Sequence, residues 1–262
     1  MTTILDSFSL AGKTALVTGG AGLYGRQIVA AVAEAGARTF IAARDLEKLE
    51  IVAAEERARG YDVTAHHLDL GSDQSIEKLH ADIIAAAGKC DILINNAVTR
   101  SAISGWHHDL DAYDKSLHVN ASALFKITHL FSQNMRQNRS GSIINIGSMM
   151  GSVGVEMHNY VGTDMMANPS PIYHYEKGGM LNFSRWAASI LGPDNVRVNC
   201  LAPGGFLSGQ PEKFVKNYSD RTQLGRMAND TDLKGAIVFL ASDASAYITG
   251  ANIPVDGGYT AK

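Results

Sequence analysis

The 262-residue chain has two cysteines, six prolines and almost no excess of charge of either sign. Cys90 and Cys200 are too few for a disulfide framework or a cysteine-built zinc site, so a reducing, cytoplasmic setting is expected. Nine histidines add no H-E-x-x-H spacing. The adjacent pairs His66 and His67, and His107 and His108, would point apart on a strand, so no metal is expected. Twenty-three Lys and Arg stand against 26 Asp and Glu, a net charge of −3. The basic stripe of a nucleic-acid binder is therefore missing. No apolar run approaches the ~20 residues of a membrane helix. Met1–Lys13 also lacks the basic-then-apolar order of a signal peptide. Without a proline-rich or low-complexity tract, nothing reads as a linker, and residues 1–262 are expected to form one domain.

What is present is core material: 45% of residues are hydrophobic and 19% charged. Short apolar runs alternate with longer amphipathic ones, the pattern of a parallel sheet covered on both faces by helices. The expected strands are Thr14–Val17, Thr39–Ala42, Val63–His67, Ile92–Asn95, Ser142–Ile146, Arg197–Leu201 and Asn252–Val255. Helical patterns occupy Tyr24–Ala35, Leu46–Arg59, Ser75–Ala87 and Leu233–Leu240. In the first of these, Ile28, Val32 and Ala35 give one apolar face, and Gly36 stands where a stop is wanted. The fold class is α/β: a Rossmann-type, doubly wound parallel sheet of about seven strands in three α/β/α layers.

The first strand runs into Thr18-Gly19-Gly20-Ala21-Gly22-Leu23-Tyr24-Gly25 and then directly into a helix. Glycines at such a turn let backbone N–H groups approach a pyrophosphate at the helix N-terminus. Here the chain resembles the short-chain dehydrogenase/reductase family, whose phosphate loop reads T-G-x-x-x-G-x-G. Thr18, Gly19 and Gly25 match, while Leu23 takes the middle glycine position and Gly22 stands one place earlier. The resemblance continues through Asp69-Leu70, which in the family meets the adenine. It includes Asn95-Asn96-Ala97, with Val98 in the place of a usual glycine. Asn199-Cys200-Leu201-Ala202-Pro203-Gly204 and Asp256-Gly257-Gly258 carry it to the C-terminal end. It implies dinucleotide contacts from Thr18, Gly19, Gly22, Leu23, Tyr24, Gly25, Asp69, Leu70, Asn96 and Ala97. Further on, Pro203, Gly204, Phe206 and Ser208 would hold the nicotinamide amide.

Cofactor choice turns on the end of the second strand, where a carboxylate would bind both ribose hydroxyls of NAD and repel a 2′-phosphate. Ala43 occupies that place, and Arg44 can offer a phosphate charge-assisted hydrogen bonds. NADP(H) is therefore expected over NAD(H). Arg44 could instead be a solvated residue before a helix that Asp45 caps.

The chemistry is expected from Ser148, Tyr173 and Lys177, with Asn120. Tyrosine and lysine in a Y-x-x-x-K pattern share one helix face. A phenol near its ordinary ~10 is a poor proton carrier at neutral pH. A cation one helical turn away stabilises the phenolate by ~4 kcal/mol at an effective dielectric of ~20, enough to make a general acid or base. The resemblance assigns Ser148 to the substrate oxygen, Lys177 also to the cofactor ribose, and Asn120 to positioning the lysine and a water chain. It implies a nicotinamide-dependent alcohol dehydrogenase or carbonyl reductase. A catalytically silent dinucleotide-binding regulator is the alternative outside enzymes.

Ser148 and Tyr173 stand 25 positions apart, about twice the family's usual gap. The added residues, 149–171, carry Met149, Met150, Met157, Met165 and Met166 and are expected to bulge over the substrate as a lid. Residues 205–228 resemble the family's mobile substrate cover. The leading substrate is a sugar or sugar acid, with Arg100, Met150, His158 and Tyr160 as candidate contacts. Arg100 would meet an acidic group, or else is a solvated surface residue. A steroid or other apolar ketone, suited to a methionine wall, is the alternative. Chains of this kind usually form homotetramers through helices over Asp109–Asn134 and Tyr173–Leu191, a homodimer being the other possibility.

Overall fold

Successive side chains on a strand face opposite sides of the sheet, and in these runs both sides are apolar. The computed structural model describes residues 3–100, 109–165 and 170–261. All seven expected strands are present: β1 (Thr14–Thr18), β2 (Arg38–Ala43), β3 (Val63–His67), β4 (Ile92–Asn95), β5 (Gly141–Ile146), β6 (Val196–Pro203) and β7 (Asn252–Val255). They make one sheet in the order β3-β2-β1-β4-β5-β6-β7, parallel throughout. Its helices are α1 (Leu23–Glu34), α2 (Leu46–Ala58), α3 (Asp73–Ala87), α4 (Leu110–Leu117), α5 (Ala123–Gln137), α6 (Pro171–Leu191), α7 (Glu212–Ser219) and α8 (Lys234–Ala241).

Leu16, Phe40, Leu93, Ile143 and Val198 pack on one side against Ile76, Leu79, Ile83, Phe131 and Leu191 from α3, α5 and α6. Their neighbours Val17, Ile41, Ile94, Ile144 and Leu201 pack on the other against Ile28, Val32, Leu49, Val52 and Ile237 from α1, α2 and α8. Three layers follow. Local chemistry sets the helix ends. Asp45 caps α2 by accepting from the Lys48 N–H, Ser72 caps α3 from Ser75, and Gly36 turns the chain after α1.

One expected helix is broken. Between α4 and α5, residues His118–Ser122 form a π-helical turn rather than continuing the α-helix. Such turns often sit at functional sites, and this one carries Asn120.

The strand order reverses between β1 and β4, so the connections leave toward opposite sides and open a crevice at the strands' carboxyl ends.

Candidate active site

That crevice is a cleft of about 890 Å³. Its nucleotide half is built from backbone. Gly19 follows β1 with φ +70°, and a Cβ there would lie 2.9 Å from Ala97 Cα. A Cβ on Gly25 would lie 2.1 Å from the Gly19 carbonyl oxygen, so no other residue fits either place without movement. Gly22 caps α1 in extended conformation, φ −72°. Leu23, the residue that departs from the family pattern, is then an ordinary first helical residue, 52% exposed at the cleft. No side chain caps α1, whose first N–H groups stay available for an anion. These features fit a dinucleotide pyrophosphate.

Thr18 is buried behind this loop. Its Oγ1 accepts from the N–H groups of Asn96 and Ala97, both at 3.0 Å. The Asn96 amide in turn donates to the Thr18 and Gly19 carbonyls, both at 3.0 Å. Thr18 thus braces the loop and does not itself line the cleft, whereas Asn96 and Ala97 do. Asp69 and Leu70 also line it, with Asp69 Oδ1 accepting from Gly71 N–H. Tyr24 donates its hydroxyl to the Gly204 carbonyl at 2.8 Å and meets Phe206 edge-on, ring centroids 5.3 Å apart. Burial pushes the Tyr24 phenol up from its ordinary value. Arg44 is exposed at the rim and forms no ion pair among the described residues, while Asp45 is occupied as the α2 cap.

Across the cleft, β5 delivers Gly147 and Ser148, and α6 delivers Tyr173 and Lys177. All four line the same space despite the long gap between Ser148 and Tyr173. The reason is close packing: a Cβ on Gly151 would lie 2.6 Å from the Lys177 carbonyl oxygen, so the turn after Ser148 rests directly on α6. Lys177 is 4% exposed. Its Nζ donates to the Ile146 carbonyl at 2.7 Å and lies 5.8 Å from the Tyr173 ring centroid. Burial lowers its pKa from the ordinary lysine value to about 8, with Cys200 and Glu176 opposing the shift and Arg100 adding to it. Ser148 Oγ accepts from Met150 N–H at 3.2 Å. Tyr175, a second phenol two residues before Lys177 on the same helix, is exposed.

Asn120 is held differently from the expectation. Its amide donates to the Thr99 carbonyl at 2.9 Å and to Glu176 Oε2 at 2.8 Å, and its Oδ1 accepts from Thr99 N–H at 2.9 Å. The hydrogen bonds of its side chain therefore go to Thr99 and Glu176 (and weakly to Ser116), and Lys177 is not among its partners. Glu176 is the residue that pattern reading missed. The only signal was an acid inside the Y-x-x-x-K turn.

The half of the cleft away from the glycine loop is made of side chains. Met149, Met150, Tyr160, Met165, Phe214, Tyr218 and Met227 line it. The Tyr218 hydroxyl accepts from Gly205 N–H at 2.6 Å and donates to the Met149 sulfur at 3.2 Å. α7 is thus as much a part of this wall as the inserted residues. The two are joined by the Asn217 amide, which donates to the carbonyls of His158, Asn159 and Val161. Pro203, Gly204 and Phe206 face the cleft, as do Met150 and Tyr160, with Arg100 exposed at its edge. His158 and Ser208 are exposed and off the cleft: only the His158 carbonyl is engaged inward, and Ser208 N–H donates to Gln210 Oε1. Met166, His107 and His108 lie outside the described residues.

A Rossmann-type sheet with a glycine-lined dinucleotide cleft and a tyrosine–lysine helix turn defines a class, and comparison agrees. The family model described as enoyl-(acyl carrier protein) reductase matches residues 22–260. The chain belongs to the short-chain dehydrogenase/reductase family and is an oxidoreductase of its NAD(P)-dependent alcohol dehydrogenase and reductase kind. It is 34% identical to the 3-oxoacyl-(acyl-carrier-protein) reductase of Aquifex aeolicus, over 95% of this chain and 98% of that one. It is 32% identical to a tropinone reductase homolog of Arabidopsis thaliana, over 97% and 94%. Its fold matches a gluconate 5-dehydrogenase of Burkholderia cenocepacia solved with NADP and tartrate. There the TM-score is 0.88 and the identity 27%, covering 99% of this chain and 100% of that one. Among the described residues, no helix is long and apolar enough to cross a membrane.

Proposed function

We propose that the protein transfers hydride between NADP(H) and the carbonyl or secondary alcohol carbon of a sugar or sugar-acid substrate. The observation that carries this reading is the buried Lys177 ammonium beneath the Tyr173 ring, in the cleft that Ser148 and the glycine loop share. Tyr173 exchanges a proton with the substrate oxygen, Lys177 stabilises its phenolate, and the Ser148 hydroxyl donates to that oxygen. Asn120 supports proton passage at a distance, through the elements it ties together. When bound, the nicotinamide supplies or takes the hydride.

Preference for NADP(H) is supported by Ala43 at the end of β2 and by the exposed Arg44, which forms no ion pair among the described residues. The NADP bound by the Burkholderia enzyme is consistent with it. The same relative supports a sugar acid, whose carboxylate Arg100 would meet at the cleft edge. The methionine and aromatic wall favours a second reading, an apolar ketone. One experiment separates them: kcat/KM across polyols, sugar acids and apolar alcohols, each with both dinucleotides. Turnover of sugar acids with NADP(H) is expected. A tenfold preference for NAD(H) overturns the cofactor choice, and turnover confined to apolar ketones overturns the substrate. Binding of dinucleotide with no turnover at all makes the protein a silent binder.

The inserted residues and the 205–228 segment act in this reading as one cover over the substrate. We also infer a homotetramer. Phe125 on α5 and Trp186 and Ile190 on α6 are each about half exposed, and Phe125 and Trp186 adjoin Phe183, a large apolar face for a monomer. Light scattering should return about four times the 28.0 kDa chain mass, and Trp186→Glu should reduce it. A cytoplasmic setting is supported by free, buried Cys90 and Cys200, whose thiols burial pushes up to about 12 and about 11.

A further inference from the structure

Adjacent residues of a helix point about 100° apart, yet Glu176 and Lys177 both border one small cavity, of about 20 Å³, and Asn120 closes it. Lys177 reaches toward β5. Glu176 reaches the opposite way, to the π-helical turn: Oε1 accepts from the Ser116 hydroxyl at 2.7 Å and Oε2 from the Asn120 amide at 2.8 Å. Glu176 is 7% exposed and, among the described residues, is the only acid lining that cavity. No role in hydride or proton transfer requires an acid at this place.

We propose that Glu176 is a positioning residue: it latches the π-helical turn and Asn120 onto α6, and its negative charge holds the neighbouring Lys177 as an ammonium ion. A buried cation without a nearby counter-charge is costly. Lys177 makes its hydrogen bond to the neutral Ile146 carbonyl, so compensation must come through space. Among the described residues, the titratable and charged groups that bear on it are Tyr173 on its own helix, Cys200 on β6, Arg100 after β4, and Glu176. Arg100 disfavours the ammonium and Glu176 favours it, while the Cys200 thiol, pushed up to about 11 by burial, is uncharged where Lys177 titrates. Glu176 is the one carboxylate in the set, and it is fixed by two hydrogen bonds.

The inference rests on the Tyr173–Lys177 reading above, and its test can fail separately. Glu176→Gln keeps an acceptor for Asn120 and offers Ser116 a donor, so it removes charge with little change of shape. The lysine side-chain resonances of the cofactor-free protein are titrated by carbon NMR, Lys177 being assigned by its loss in Lys177→Met. The Lys177 midpoint should fall by about half a pH unit or more in Glu176→Gln. The alkaline limb of kcat/KM should move down with it, while KM for the dinucleotide stays within about twofold. A midpoint equal to that of the unaltered protein overturns the proposal. So does an activity loss of the same size at every pH, which would mark a purely structural role. Ser116→Ala, which removes the hydrogen bonds of Ser116 to Glu176 and Asn120 and leaves the charge, should keep the original midpoint. A lowered midpoint there also overturns the proposal, and this variant serves if Glu176→Gln does not fold. Should Tyr173→Phe turn over normally, the hydride-transfer reading fails, and the NMR midpoint alone judges Glu176.

Discussion

Backbone walls the nucleotide half of the cleft, through Gly19, Gly22, Gly25 and the carbonyls that Asn96 holds. Long side chains wall the substrate half, through Met149, Met150, Met165, Met227, Tyr160 and Phe214. A backbone wall cannot be altered without steric conflict, and it suits a ligand common to a whole family. A methionine wall can be remodelled one residue at a time at small cost. This chain matches a 3-oxoacyl-(acyl-carrier-protein) reductase, a tropinone reductase homolog and a gluconate 5-dehydrogenase at 34%, 32% and 27% identity.

Four experiments would break or sharpen this division. The largest effect is expected at the junction of the halves. Tyr173→Phe should lower kcat by ~10²–10⁴-fold while calorimetry finds dinucleotide affinity nearly unchanged. Affinity that collapsed as well would mean that Tyr173 belongs to the nucleotide wall. Gly25→Ala comes next, since its new methyl meets the Gly19 carbonyl. Overpacking of this kind costs ~1–3 kcal/mol, and at 1.4 kcal/mol per tenfold the dinucleotide Kd should rise about tenfold or more. An unchanged Kd would show that the loop is softer than its contacts imply. Arg44→Ala removes a charge-assisted contact of ~1.5–3 kcal/mol, so the ratio of kcat/KM for NADP(H) over NAD(H) should fall about tenfold. A constant ratio would return Arg44 to the solvent. Met150→Leu is the mildest, a volume-conserving change worth less than ~1.5 kcal/mol. It should move substrate KM a few-fold and leave the dinucleotide Kd alone; the reverse outcome would dissolve the distinction.

The same division decides what could be read in advance. All seven strands were legible because each apolar run is local, and helix ends at Asp45 and Gly36 follow from residues within one turn, whereas α3 starts at Asp73, capped by Ser72, before the expected Ser75. Tyr173 and Lys177 were legible because a four-residue spacing on a helix is itself geometry. Glu176 was not, because its partners Ser116 and Asn120 lie 60 and 56 positions away. Nor was the π-helical turn, which interrupts a sequence whose local pattern reads as continuous helix. In the inserted segment His158 looked like a contact by chemistry, but its neighbour Asn159 is the one buried, against Tyr259. Which of two adjacent residues turns inward there depends on α7 and the C-terminal turn, and those lie beyond any local window.

The three carbonyls gathered by the single amide of Asn217 have a practical consequence for anyone redesigning this protein. An inserted loop transplanted from a relative will not take its shape alone, because the part that disciplines it sits some sixty positions downstream. Exchange of both pieces together, with an asparagine at 217 retained, is the unit of engineering that this stitch defines.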